Sequence, residues 1–246
     1  MRKNKEKMVI IYCAILLSLI GTGCCIAPCG VNPAGEKAYY VRTEFLNMDT
    51  QMGQFRNLKK AKKCADLTSV YGYRVYSANG KIVYATYGEL AADILREGKY
   101  VADYIRENNF RYGNAPINPA IDHAAKLISC DRLVGWVMYR VGFTNQPYKH
   151  GLWIWAPGDE KDLEAWCVLN EFEKVTKQEE LLPGDIVFVS RSIKGQPGHT
   201  FIHAGVSSDS SYYRYDGGSN GRIQREQPSS EPIRDFMFAY RPVRHK

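Results

Sequence analysis

Cys130, His199, His203 and Asp216 are the side chains whose types and order could do covalent chemistry. A thiol that ionises attacks a carbonyl, an imidazole takes and returns its proton, and a polar group beyond the ring holds its tautomer and orientation. Together they would transfer an acyl group through a thioester. Cys130 opens the run Cys130-Asp131-Arg132-Leu133-Val134-Gly135-Trp136-Val137-Met138-Tyr139-Arg140-Val141-Gly142. Leu133, Val134, Val137, Met138 and Val141 share one helical face, and Gly142 stops the pattern. Ser129 and Asp131 offer capping oxygens, so the helix is expected to begin at or beside Cys130. There the positive end of the helix dipole and the unpaired N–H groups would favour a thiolate and an oxyanion. The competing reading is a cysteine serving as a small buried hydrophobe.

The partners need strands. Leu182-Pro183-Gly184-Asp185 reads as a turn feeding the buried strand Ile186-Val187-Phe188-Val189. Gly198 to Val206 reads as a second strand, and Tyr212 to Gly218 as a third that ends in a turn. Residues 199, 201 and 203 face the same way along a strand, so periodicity leaves both histidines open as the base.

The ordered set Cys-Asp before an apolar helix, Pro-Gly-Asp before a strand, and His-x-x-Ile-x-x-Gly resembles the NlpC-type papain-like cysteine peptidases of cell walls. The resemblance covers roughly residues 88–246. It implies Cys130 as nucleophile, His199 as base (Ile202 and Gly205 follow at the right steps) and Asp216 as the orienting group, where the family more often has His, Asn or Gln. His203 then neighbours the groove or packs, and Asp131 and Tyr112 border the substrate. The family has a tyrosine in the loop before the cysteine; here Phe110 falls at that place, with Tyr112 close by. The implied reaction is hydrolysis of an amide in a peptidoglycan stem peptide, between a D-isoglutamyl residue and a diamino acid. An N-acetylmuramoyl-L-alanine amidase with the same triad, an acyltransferase and a non-catalytic wall-binding protein are the alternatives. No cofactor or metal is expected.

Composition is that of an ordinary folded protein. The 246 residues are 45% apolar and 24% charged, with a net charge of +7, ordinary for a folded chain. No basic stripe with stacking aromatics argues for nucleic acid. Arg2, Lys3, Lys5 and Lys7 precede an uncharged run from Met8 to Ala27, the pattern of an export signal or, if uncleaved, a membrane anchor. The protein is therefore expected outside the cytoplasmic membrane, secreted or held there, at the cell wall. Of seven cysteines, four lie in or beside that run. Cys64, Cys130 and Cys167 form neither a disulfide framework nor a zinc pattern.

The expected organisation is a signal or anchor over residues 1–29, a linker over 30–37, a small unit over 38–86 and the hydrolase over 87–246. The small unit reads as strand, helix, strand, strand: Tyr39 to Phe45, a helix capped by Asn57, and a hairpin turning at Ala78-Asn79-Gly80. It resembles the sporulation-related-repeat type of wall-binding module. Glu89 to Asn108 is a long amphipathic helix, and Asp162 to Phe172 a short one. Tyr148, Trp153 and Trp155 on a Gly/Pro loop, and Lys194 and Gln196 on another, are candidates for the rim of a groove. The fold expected is α+β and papain-like, with the cysteine helix packed on an antiparallel sheet that carries the histidine.

Overall fold

The computed structural model describes residues 38–113, 126–144, 162–190, 197–206, 211–217, 223–228 and 233–244. The export run Met8–Ala27, the linker, the aromatic loop with Tyr148, Trp153 and Trp155, and Lys194 and Gln196 lie outside the described residues. No helix among the described residues is long and apolar enough to cross a membrane.

The described fold is α+β with antiparallel sheets. The small unit contains β1 (Tyr39–Arg42), β2 (Gly53–Phe55), α1 (Leu58–Leu67), β3 (Arg74–Ser77) and β4 (Ile82–Ala85). Its antiparallel sheet runs β2-β1-β3-β4. The sequence reading lacked β2, because three residues carry too little alternation to register as a strand. Asn57 caps α1 as expected, its side chain accepting from the Lys59 and Lys60 amides. Ala61, Cys64 and Ala65 then meet Val41, Phe55 and Val75 in a core of their own.

The larger unit begins with α2 (Glu89–Glu107), then a short parallel pair, β5 (Arg111–Tyr112) and β6 (Leu127–Ile128). The cysteine helix α3 (Cys130–Val141) follows, then α4 (Leu163–Leu169). The remaining strands are β7 (Glu173–Val175), β8 (Ile186–Ser190), β9 (Pro197–Val206), β10 (Ser211–Tyr215), β11 (Ile223–Pro228) and β12 (Phe236–Arg241), ordered β11-β10-β9-β8-β12-β7.

Both faces of this sheet are covered, which is why Ile186-Val187-Phe188-Val189 is apolar without alternation. Ile186, Phe188, Ile202, Ala204, Tyr215 and Tyr240 pack with Leu133, Val134, Val137 and Met138 of α3 and with α2. Val175, Val187, Val189, Phe201 and Ala239 form a second core on the other side. Gly142, at φ +88°, ends α3 in the left-handed conformation that stops a helix. Arg140 in the last turn of α3 pairs with Glu97 of α2, clamping the two helices together.

Candidate functional site

Ser129 is extended (φ −116°, ψ 170°) and turns the chain into α3, but its hydroxyl does not cap the helix. It donates instead to Asp131 Oδ1. That oxygen also accepts the Arg132 N–H at 3.0 Å, so Asp131 satisfies a first-turn amide. Asp131 is thus spent inside the turn and buried; burial pushes its carboxyl upward, against the Ser129 and Arg132 contacts. The expected substrate contact from Asp131 is not what this geometry offers.

Cys130 is 2% exposed. Its thiol takes backbone hydrogen bonds from Thr200 and from Asp131, yet it is pushed up to about 12, first by burial and then by the Asp131 carboxyl, with Asp216 adding to the rise. This corrects the expectation of a thiolate favoured by the helix terminus. Two amides pull the right way, but removing sulfur from water outweighs them. At neutral pH the resting group is a thiol.

His199 and Asp216 come from neighbouring strands. His199 lies on β9, and Asp216 is the first residue after β10. His199 Nε2 meets Asp216 Oδ2 at 2.9 Å, both groups being buried. Thr200, whose amide reaches the thiol, is the next residue after His199, so the histidine strand and the cysteine helix converge at this point. Gly217 closes the arrangement. A Cβ there would run into the Ser129 carbonyl oxygen and lie 3.2 Å from the Cys130 nitrogen. Only a residue without a side chain lets the end of β10 come this close to the start of α3.

Periodicity left two histidines open, and the structure separates them. His199 is bonded to a carboxylate. His203 is buried beside the Tyr212 ring, centroids 5.9 Å apart, and burial alone drives its pKa down to about 4. It is packed against that ring. Phe110 is in the core against Tyr104 and Trp136. Tyr112 is 55% exposed on β5, in register with Ile128 and so just before Cys130. Of the expected substrate-contacting residues, Tyr112 is exposed, whereas Asp131 and His203 are buried.

Three contributors were missed in the sequence. Thr200 acts through its backbone and Gly217 by having no side chain, and neither leaves a compositional mark. Arg214, whose Nη2 is 3.0 Å from Asp216 Oδ2, was visible as the i−2 neighbour of Asp216 on one strand face. Among the described residues, no group of three or more His, Cys, Asp or Glu could hold a metal ion.

No family model matches the chain, and no curated protein matches it. Among solved structures it is similar to NlpC2 from Trichomonas vaginalis, with 14% identity and a TM-score of 0.32, over 69% of this chain and 56% of that one. The chain thus spans little more than half the length of that structure.

Proposed function

We propose that the protein is a cysteine hydrolase that cleaves an amide bond in cell-wall stem peptides, with Cys130 as nucleophile, His199 as base and acid, and Asp216 as the group that orients His199. The observation that carries this reading is the buried His199–Asp216 hydrogen bond, set beside a helix-start thiol that the Thr200 amide touches. An ionisable pair buried next to a thiol has a chemical use and no evident structural one. The motif order resembling NlpC-type peptidases supports the substrate class.

Asp216 occupies Nε2 of His199, which leaves Nδ1 for the thiol proton. Because burial holds Cys130 protonated at rest, His199 takes the proton as the C–S bond forms; no standing ion pair is needed. The N–H of Cys130, at the first position of α3, has no helical acceptor and stabilises the oxyanion. Collapse of the tetrahedral species passes the proton from His199 to the leaving amine and forms a thioester at Cys130. His199 then takes a proton from water as its oxygen adds to the thioester carbonyl; the C–S bond breaks, the carboxylic acid leaves, and His199 returns the proton to the Cys130 sulfur. In this reading the unit over 38–86 holds the enzyme on the wall, and the Met8–Ala27 run exports or anchors it.

A second reading, a wall-binding protein without catalysis, draws on the burial and raised pKa of the thiol. Incubating the full chain with purified peptidoglycan and identifying released fragments by mass spectrometry separates the two. The hydrolase reading expects peptide fragments that a Cys130→Ala control does not release, and their ends name the bond. Pelleting of both proteins with the wall and no release by either would support binding alone.

A further inference from the structure

Arg214 and Asp216 stand two residues apart and share a face. Arg214 Nη2 lies 3.0 Å from Asp216 Oδ2, the same oxygen that His199 Nε2 meets at 2.9 Å. The guanidinium also sits over the Phe201 ring, 4.7 Å from its centroid. That ring is 6.0 Å from the His199 ring. β9 supplies His199 and Phe201, and the β10 segment supplies Arg214 and Asp216, so four side chains brace one another across two adjacent strands.

We infer that Arg214 is a positioning residue of the site, holding the Asp216 carboxylate ionised and aimed so that His199 keeps its proton on Nε2 and an open lone pair on Nδ1. The argument is electrostatic. Asp216 is 1% exposed, and a carboxylate so buried needs a cation to stay charged. Without one it takes up a proton and becomes a donor. A donor would bond the Nε2 lone pair and drive the ring proton to Nδ1, which is the wrong tautomer for receiving a proton from Cys130. The planar fork of arginine suits this place, because it can grip an oxygen while its face rests on an aromatic ring. A bare ion pair would need no such stacking partner.

The inference rests on the hydrolase reading of the site, but its test needs no substrate. Alkylation of Cys130 by iodoacetamide in the full chain at neutral pH is followed through the mass of the Cys130 peptide. A thiol pushed up to about 12 reacts slowly unless a neighbouring base assists it, so the rate reports on His199. Arg214→Met is expected to slow alkylation about tenfold or more, and Arg214→Lys to recover at least half of the logarithmic loss. Asp216→Ala, which removes the acceptor for His199 Nε2, should be slow as well. Adding Arg214→Met to it should change the rate by less than about twofold, since the two act in one chain. The inference is overturned if Arg214→Met reacts at the wild-type rate, if it slows both backgrounds equally, or if Arg214→Lys is as slow as Arg214→Met. Should Arg214→Met fail to fold by circular dichroism, Arg214→Gln replaces it with the same expectations. Failure of the hydrolase reading shows separately, as wild-type protein that releases no fragments from peptidoglycan.

Discussion

At the scale of single residues, burial decides what each ionisable group near the site can do. The Cys130 thiol is raised and the His203 imidazole lowered, and in both cases removal from water is the first cause. His203 gives a test with a definite sign. Its folded pKa, about 4, lies below the ordinary 6.5. Below pH 6.5 the unfolded chain therefore binds a proton that the folded chain refuses, and stability falls as pH drops toward 4. Urea unfolding at pH 7 and pH 4.5 should show a loss about 2 kcal/mol smaller in His203→Leu than in the wild type. An identical loss in both proteins would mean the ring is not sealed from water. The sequence could not separate His203 from His199, because alternation puts both on one strand face. Only the partner across the sheet does so, and Asp216 is seventeen residues further along the chain.

At the scale of elements, what could be read was what repeats. The five apolar residues of α3, the glycine after it and the Asn57 cap of α1 all follow from spacing, and they stand where spacing put them. The strands β2, β5 and β6 are two or three residues long and carry no period, so they were not legible. Nor was the contact of Gly217 with the first residues of α3, which depends on two backbones meeting across the fold. Gly217→Ala tests that contact. Its Cβ has no room before the Ser129 carbonyl oxygen and the Cys130 amide, so the helix start must shift. We expect a stability loss of about 1–3 kcal/mol in chemical unfolding, with a larger proportional loss of Cys130 alkylation rate. A variant as stable and as reactive as the wild type would show that the end of β10 does not set the position of α3.

At the scale of the molecule, the small unit and the sheet of the larger one are joined by specific buried contacts. The Tyr215 hydroxyl on β10 donates to the Val70 carbonyl at 2.6 Å, and both residues are buried. Arg74 on β3 pairs with Asp93 on α2. Tyr215→Phe removes the donor and leaves a buried carbonyl unpaired, which costs about 1–3 kcal/mol. Because Tyr215 also lies one residue before Asp216, the substitution should lower the midpoint of chemical unfolding while leaving Cys130 alkylation within about twofold of wild type. A fall in reactivity as large as that of Asp216→Ala would mean that the join between the units also shapes the site. The motif residues are spread over most of the larger unit: Asp216 bonds His199 and Gly217 abuts the start of α3, whereas Pro183, Gly184 and Asp185 lie beside Gly205, Ala91 and Arg241.

The central claim is that Cys130 carries the acyl group. The most direct test mixes the full chain with soluble stem peptides, quenches in acid within the first turnovers and measures the mass of the Cys130 peptide. The account predicts an added mass equal to the acyl part of the peptide, present in wild-type protein, absent in Cys130→Ala and strongly reduced in His199→Ala. Cleavage of the peptides by Cys130→Ala at the wild-type rate, with no adduct on the wild-type thiol, would contradict it.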